Sequence, residues 1–298
     1  MTSPSARAQR RISVLLLAPF FITFAAVTIA PLIYAGWMSL FTTRTSGLGF
    51  GGTQEVFAGL DNYVQALSDP AFRDGFLTIA AYVAIYIPVM IGGALALALL
   101  LDTALAKARA FFQLALFLPH AVPGLIAALI WVYLYTPGLS PVIGFLRSGG
   151  LDIDFLSAGN AVFSAANIAV WEWIGYNMVI FYAALQAVPG ETLDAAKIDG
   201  AGGMRTALSI KVPMIRPAIA LAVLFTVIGS VQLFTEPKVI YSASTSIGSS
   251  WTPNMFVQTA AFTHNNFGLA AAASLLIAVF AAALSFLVTR LSRSRSKP

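Results

Sequence analysis

Residues 188–217 read VPGETLDAAKIDGAGGMRTALSIKVPMIRP, a polar segment that separates two long apolar runs. Prolines stand near both ends, and glycines at 200, 202 and 203 interrupt a series of helix-forming residues. Glu191 falls in the first turn of the predicted helix, where a carboxylate interacts favourably with the helix dipole. The pattern predicts a short helix, a sharp turn at the glycines, and a second helix that continues into the next apolar run.

The composition places this segment in a membrane protein. Hydrophobic residues make up 58% of the 298 residues and charged residues 10%, which leaves too few charges to cover a soluble domain of this size. The sequence contains no cysteine, which excludes disulfides, thiolate metal sites and cysteine nucleophiles. The net charge of +5 does not indicate a nucleic-acid partner, because the basic residues are spread between apolar runs instead of clustered on one soluble face.

Six apolar runs are long enough to cross a bilayer core about 30 Å thick, which requires roughly 20 helical residues. They cover residues 12–37, 76–101, 111–135, 161–185, 212–234 and 267–289. The predicted fold is therefore an all-α integral membrane protein with six transmembrane helices and short connections. We predict a tail and first helix at 1–40, an extracytoplasmic segment at 41–75, a transmembrane domain at 76–290, and a tail at 291–298.

The distribution of Lys and Arg predicts the orientation of these spans. Thirteen of the 17 basic residues lie on one side, namely on the two termini, on the loops after the second and fourth spans, and at Arg216 near the start of the fifth span. Four lie on the opposite side: Arg44, Arg73, Arg147 and Lys238. Because cytoplasmic segments carry the excess of positive charge, both termini are predicted to be cytoplasmic. The 188–217 segment is then predicted to face the cytoplasm. The chain as a whole is expected in the cell (inner) membrane.

The same segment resembles the hallmark loop of permeases of binding-protein-dependent ABC importers, in which E-A-A, G, and I-x-L-P stand at fixed spacings. This sequence has Asp194-Ala195-Ala196, Gly200, Ile210 and Val212-Pro213 at those spacings, with Asp for Glu and Val for Leu. The resemblance implies the type-1 transmembrane domain of these importers. It also implies a coupling loop (residues 189–213) that docks on a separate ATPase, through Asp194, Ala195, Ala196, Asp199, Gly200, Ile210 and Pro213.

The resemblance extends to the maltose- and glycerol-3-phosphate-type branch of these permeases, through three further stretches. These are FAGLDNY at 57–63, LPHAVP at 118–123 and Phe267-Gly268. The first stretch is similar to that of the MalF- or UgpA-like subunit, one of two different permeases that pair in this branch. The implied partners are a second six-span permease, two copies of an ABC ATPase, an extracytoplasmic solute-binding protein, and a sugar as cargo.

The chain itself is predicted to be non-catalytic and to hold no cofactor or metal. It contains no G-x-x-x-x-G-K-[ST] phosphate-binding loop and no Gly-Lys pair, so ATP and Mg²⁺ are expected in the partner ATPase. Two other classes of protein remain as rivals. An ion-coupled secondary transporter would need a titratable relay, for which Glu172 and Glu236 are the acidic candidates, and a passive channel would need a selectivity-filter loop that we do not find.

Polar and aromatic residues inside the spans indicate where a solute could pass, since such groups are costly in lipid and usually face an interior. The fourth span carries Trp171, Glu172, Trp173, Tyr176 and Asn177, a mixture that suits the C–H faces and hydroxyls of a sugar. With the resemblance added, the predicted substrate path consists of His120, Gly124, Trp171, Glu172, Gly175, Met178, Ser230 and Gln232.

Several of these residues also fit a plain structural role. The tryptophans are equally suited to packing or interfacial anchoring, Glu172 to a structural hydrogen bond, and His120 to packing beside its prolines. The sequence also leaves the chemical identity of the cargo open. The contacts expected of a maltose permease are not reproduced at Gly124, Trp171 and Met178, and glycerol phosphodiesters or polyols stay as alternatives to a sugar.

Overall fold

Long apolar helices dominate the computed structural model, which describes residues 6–45, 53–103 and 107–294. The predicted extracytoplasmic segment at 41–75 and the predicted tails therefore lie partly outside the described residues. Contacts between Cα atoms divide the chain into two units. The first unit comprises Met1–Asp69 with Val257–Leu276, and the second comprises Pro70–Phe256 with Ile277–Pro298.

The described elements are fifteen α-helices and one two-stranded antiparallel sheet, in which Phe41 lies opposite Phe57. In chain order they are α1 (Ala6–Phe24), α2 (Ala30–Met38), β1 (Phe41–Thr45), β2 (Thr53–Phe57), α3 (Asp61–Ser68), α4 (Pro70–Asp102), α5 (Arg109–Phe117), α6 (Gly124–Tyr135), α7 (Pro141–Ser148), α8 (Ala161–Gln186), α9 (Gly190–Ile198), α10 (Gly203–Thr206), α11 (Val212–Met214), α12 (Arg216–Val231), α13 (Thr235–Ala243), α14 (Pro253–Gln258) and α15 (Phe267–Ser294). Short π-helical turns join α1 to α2, α10 to α11, and follow α14.

Four of the six predicted spans are single apolar helices in the described residues: Ile12–Met38, Pro70–Asp102, Ala161–Gln186 and Phe267–Arg290. Each corresponds to one of the apolar runs, because a run of about 20 residues without charges can satisfy its backbone in lipid only as a helix. The chain is thus mostly helical, with four to six helices able to cross a membrane.

The other two predicted spans are broken, whereas the sequence predicts continuous runs. Arg109–Ala121 and Gly124–Tyr135 meet at 95°, and Gly203–Met214 and Arg216–Val231 meet at 67°. The first break follows from Pro123, because the residue before a proline is pushed out of the α region, and Val122 has an extended ψ of 129°. At the second break, Pro217 stands in the first turn of α12, where its missing N–H costs no helical hydrogen bond.

In the first unit, Asn62 is the centre of a buried set of neutral hydrogen bonds, which we call the Asn62 network. Its Nδ2 atom donates to the carbonyl oxygens of Ser39 and Phe41, each at 2.8 Å, and the hydroxyls of Ser39 and Tyr63 are 2.6 Å apart. Gly268 packs directly on this network, since a Cβ there would lie 2.0 Å from the Phe41 carbonyl oxygen. The network therefore brings the stretch at 57–63 into contact with Gly268, and both stretches carry the resemblance described above.

In the second unit, α8 is the central helix and packs against α4, α5, α6, α12 and α13. Two groups of buried side chains surround it. One group joins α8 to α4, α6 and α13 through residues such as Tyr86, Ile168 and Ile240. The other joins α8 to α4 and α12 through Met178 and Phe181. This packing fixes the rotation of α8 and so decides which of its polar residues face a cavity.

Candidate functional site

The coupling loop contains α9, which ends in a Schellman motif at Gly200. Gly200 has a φ of +75°, in the left-handed region, and its N–H donates to the Lys197 carbonyl at 3.0 Å. The N–H of Ala201 donates to the Ala196 carbonyl at 2.9 Å, which completes the motif. Nothing lies within 4 Å of a Cβ placed on Gly200, so glycine is needed for its backbone angle and not for space.

Much of the surface of α9 is exposed, although not at every residue predicted to contact a partner. Asp194, Ala195, Asp199 and Gly200 are exposed, whereas Ala196 is buried at 6%. Ile210 and Pro213 are half-buried in the helical segment that follows. Their role as ATPase contacts stays a prediction, and for Ala196 the burial indicates packing within its own chain.

Sequence reasoning missed the exposed apolar side chains of this loop. Ile198, the last residue of α9, is 87% exposed, and Met204 at the start of the next helix is 74% exposed. The side chain of Ile198 on this short, capped helix is therefore accessible from outside the chain. The sequence offered a sign of it, because Ile198 is the apolar residue between Lys197 and Asp199.

A single carboxylate holds both ends of the coupling loop, in a group that we call the Asp102 tie. Asp102, the last residue of α4, forms an ion pair with Lys211, and its other oxygen accepts a hydrogen bond of 2.7 Å from Gln186 Nε2. Gln186 is the last residue of α8, just before the loop, and Lys211 lies just before α11. The ion pair is partly buried, with side chains 11% exposed for Asp102 and 19% for Lys211.

A cavity of about 620 Å³ lies between α4, α8 and α12. Its wall combines aromatic rings with small polar groups, and several aliphatic side chains complete it. The aromatic and polar members are Tyr82, Tyr86, Trp173, Tyr176, Asn177, Phe225, Thr226, Ser230, Gln232, Phe234, Thr235 and Glu236. Flat rings beside hydrogen-bonding groups fit a ligand that has both apolar faces and hydroxyls.

Local hydrogen bonds orient the polar groups of this wall. The hydroxyls of Thr226 and Ser230 donate to carbonyls one turn earlier on α12, at 2.8 Å and 2.7 Å, which leaves their oxygens as acceptors. Asn177 Nδ2 donates to the Trp173 carbonyl at 3.0 Å. Glu236 lies at the start of α13, outside the apolar spans, and burial raises the pKa of its carboxyl above the ordinary value.

Of the predicted substrate path, Ser230 and Gln232 line this cavity. His120 stands behind the wall, with its ring 4.5 Å from the Trp173 ring and 4.6 Å from the Tyr176 ring between centroids. Its Nδ1 atom is buried without a hydrogen-bond partner among the described residues. His120 thus contacts two of the cavity rings and does not line the cavity itself.

The remaining predicted path residues lie in packing contacts. A Cβ on Gly124 would be 3.4 Å from a carboxylate oxygen of Glu172, so these two residues lie against each other. A Cβ on Gly175 would be 1.7 Å from the Leu116 carbonyl oxygen, and Met178 is fully buried. Trp171 stacks edge-on against Trp131, with ring centroids 6.0 Å apart. A path role for these residues stays a prediction.

The cavity face of α8 carries Trp173, Tyr176 and Asn177, which the sequence marks as unusual but which the predicted path omits. The sequence spacing instead predicts that Trp171, Gly175 and Met178 form the face of this helix that lines the path. A shift of two residues rotates a side chain by about 200° around a helix, so Trp171 and Trp173 point to nearly opposite sides. Tyr82 and Tyr86, one turn apart on α4, were also missed.

Long apolar helices around a polar and aromatic cavity, with a capped and exposed helix at one loop, define a membrane permease. The chain belongs to the family of binding-protein-dependent transport system inner membrane components, which residues 104–297 match. These residues include the coupling loop and most of the cavity wall.

Two relatives illustrate the family. The chain is 32% identical over 241 residues to the sn-glycerol-3-phosphate transport system permease protein UgpA of Escherichia coli O6:K15:H31, covering 80% of this chain and 79% of the relative. It is 30% identical over 298 residues to the diacetylchitobiose uptake system permease protein NgcF of Streptomyces coelicolor, covering 92% and 83%.

Solved structures show the same fold. One chain of a bacterial ABC transporter involved in the import of the acidic polysaccharide alginate matches with a TM-score of 0.83 at 19% identity, over 97% of this chain and 98% of that one. The same transporter type in complex with an alginate pentasaccharide-bound periplasmic protein matches with a TM-score of 0.76 at 18% identity. The fold is that of a type-1 ABC importer permease.

Proposed function

We propose that this chain is the transmembrane permease subunit of an ABC sugar importer, in which it forms half of the translocation path. The observation that carries the proposal is the coupling loop, whose short helix ends in a rigid turn at Gly200 and exposes Ile198. A rigid exposed helix transmits the movement of a docked ATPase to the spans that follow it, and so biases a two-state permease.

The proposed topology has six spans and both termini in the cytoplasm. It is supported by the two bent helix pairs, each counted as one span, and by the excess of Lys and Arg on one side. This topology puts the coupling loop on the cytoplasmic face of the inner membrane, where an ATPase can reach it.

The proposed assembly contains a second six-span permease, two copies of an ABC ATPase and an extracytoplasmic solute-binding protein. Support comes from the solved alginate importer, which is in complex with a periplasmic protein. ATP and Mg²⁺ belong to the ATPase in this proposal, and the present chain contributes no catalytic residue and no cofactor site. No nucleic acid takes part.

A sugar is the proposed cargo, with support from the NgcF relative and from the aromatic and polar wall of the cavity. The UgpA relative favours a second candidate, a glycerol phosphodiester or a polyol. An ion-coupled transporter is the rival from another class, and ATP dependence of uptake separates it from both.

The decisive experiment changes Gly200 and measures ATP-driven uptake into vesicles that contain the complete importer. Gly200→Val should abolish uptake, because a β-branched residue does not adopt a φ of +75° without strain. Gly200→Asn is the matched control and should retain most uptake, because asparagine tolerates the left-handed region. Equal uptake by both variants would refute the role of the loop.

A second variant tests the docking surface directly. Ile198→Glu places a charge where an apolar contact is proposed and should reduce co-purification of the ATPase with this chain. Lys107→Gln, on the other loop predicted to be cytoplasmic, is an exposed control that should leave co-purification unchanged. Retention of the ATPase by the Ile198→Glu variant would count against docking at α9.

A further inference from the structure

The ionisable side chains of the cavity wall bear on the class of solute. Among the described residues, Glu236 is the one ionisable carboxyl on the wall, and no Lys, Arg or His side chain lines it. The nearest cation along the chain, Lys238, instead lies over the Tyr241 ring at 5.3 Å from its centroid. His120 is separated from the cavity by the rings of Trp173 and Tyr176.

We infer that this half of the path admits uncharged carbohydrates and disfavours solutes that carry phosphate or carboxylate groups. An anion that leaves water for this cavity would find no positive partner among the described residues of its wall and would meet the carboxyl of Glu236. A neutral sugar would find stacking surfaces at Trp173 and Tyr176 and acceptor oxygens at Thr226 and Ser230. The inference rests on the proposed function and narrows its cargo.

This selectivity separates the chain from proteins that it resembles. The relative UgpA is named for sn-glycerol-3-phosphate, and the matched transporter imports the acidic polysaccharide alginate. The relative NgcF is named for diacetylchitobiose, which is uncharged. The lining of the cavity therefore favours a cargo of the last kind over the first two.

The test is quenching of tryptophan fluorescence in the complete importer without its binding protein, so that the cavity is probed directly. The probes are N,N′-diacetylchitobiose, sn-glycerol-3-phosphate and an alginate disaccharide, and a Trp173→Phe variant identifies the signal that comes from the cavity. The neutral disaccharide should bind about tenfold more tightly than either anion, and Glu236→Lys should narrow that ratio.

Two results would overturn the inference. One is equal or tighter binding of either anion by the wild-type cavity, and the other is a Trp173 signal that responds to none of the three solutes. ATP-driven uptake in vesicles is measured in parallel. An importer that takes up solute with ATP but fails the quenching test keeps the proposed function and loses only the inference about cargo charge.

The Asp102 tie carries a second inference through a different set of contacts. Residues 187–210 connect Gln186 to Lys211 within the second unit, and Asp102 contacts both of these flanking residues. We infer that Asp102 is a positioning residue that fixes the coupling loop against the end of α4. A movement imposed on α9 is then passed to three helices at once, namely α4, α8 and the segment that begins at α11.

The expected consequence is loss of coupling with retention of the assembly. Asp102→Asn and Lys211→Gln should each raise the number of ATP molecules hydrolysed per solute imported severalfold, because the ATPase still docks but its movement is transmitted less completely. The exchanged pair, Asp102→Lys with Lys211→Asp, should restore the ratio in part. Lys107→Gln removes an exposed charge and is the matched control.

A purely stabilising ion pair would lower hydrolysis and uptake together and leave their ratio constant, and that result would overturn the inference. Failure here is distinct from failure of the proposed function. Suppose that Gly200→Val abolishes uptake while the Asp102 variants keep the normal ratio of ATP hydrolysed to solute imported. The coupling role of the loop is then supported, and the positioning role of Asp102 is refuted.

Discussion

The Asn62 network and the Asp102 tie solve the same problem with opposite chemistry, since each joins segments that are far apart in the sequence. The network consists of neutral groups, and its central residues Ser39 and Asn62 are 0% and 1% exposed. The tie consists of a carboxylate, an ammonium and an amide, and its charged side chains are 11% and 19% exposed. The central residues of the network are buried, whereas the charged groups of the tie are partly exposed.

The difference predicts how each will respond to a change of conditions. A buried neutral hydrogen bond is insensitive to salt, and removing one partner leaves a buried polar group unsatisfied at a cost of about 1–3 kcal/mol. A partly exposed ion pair is screened by salt and contributes less. The network therefore suits a fixed junction. The tie suits a junction whose strength can be altered, as expected where the proposed coupling loop moves.

The largest effect is expected when the packing of the Asn62 network is broken from outside. Gly268→Ala places a Cβ 2.0 Å from the Phe41 carbonyl oxygen and 2.9 Å from Asn62 Nδ2. Because the first of these atoms belongs to the backbone, the chain must shift, and the unfolding free energy should fall by about 3 kcal/mol. Equilibrium unfolding in mixed detergent micelles measures the loss.

The matched control for this variant is Gly92→Ala, because nothing lies within 4 Å of a Cβ at Gly92 on α4. It should change the unfolding free energy by no more than about 0.5 kcal/mol. If the two alanine variants were equally stable, close packing at Gly268 would not be the reason for glycine there.

The next effect concerns the central donor of the network. Asn62→Ala removes the donor to two carbonyl oxygens and should cost about 2–3 kcal/mol, at any salt concentration. Tyr63→Phe is a graded comparison, since it removes only the hydroxyl 2.6 Å from the Ser39 hydroxyl and should cost about 1 kcal/mol. A loss that disappears in high salt would contradict a neutral network.

The two junctions also differ in what the sequence could reveal about them. Asn62 and Gly268 stand in stretches that resemble a known family, which marked the two stretches but did not predict the contact between them. Asp102 precedes Gln186 by 84 positions and Lys211 by 109 positions, and no local sequence pattern connects the three residues. Such a group becomes visible only when packing brings the ends of three helices together.

The same limit applies to the spans and to the cavity. The apolar runs predicted where the long helices lie, because hydropathy and length are local properties. They did not predict the rotation of α8, since apolar residues surround that helix on all sides and give no preferred face. The cavity is therefore lined by Trp173 and Tyr176, whereas the sequence predicted Trp171 and Gly175. The breaks in the third and fifth runs were signalled by prolines, whose effect on direction requires the structure.

A smaller loss is expected at the Asp102 tie, and its dependence on salt sharpens the contrast. Asp102→Asn keeps an oxygen for Gln186 but removes the charge that pairs with Lys211, which should cost about 1–2 kcal/mol at low ionic strength. In about 1 M salt, where the screening length is about 3 Å, the difference from wild type should shrink. Unfolding titrations at two salt concentrations, run beside Asn62→Ala, provide the comparison.

The smallest effect is expected at the exposed ion pair of Lys197 and Asp194 on α9. Its two side chains are 73% and 69% exposed, and the groups lie 2.8 Å apart at the i, i+3 spacing of one helix. Solvent screening and the freedom of both side chains reduce such a pair to a few tenths of a kcal/mol, so Lys197→Gln should stay within about 0.5 kcal/mol of wild type. The same detergent titration measures it. A loss as large as that of Asp102→Asn would mean that burial does not distinguish the two pairs, because both have a Lys and an Asp at bonding distance and differ mainly in their access to water.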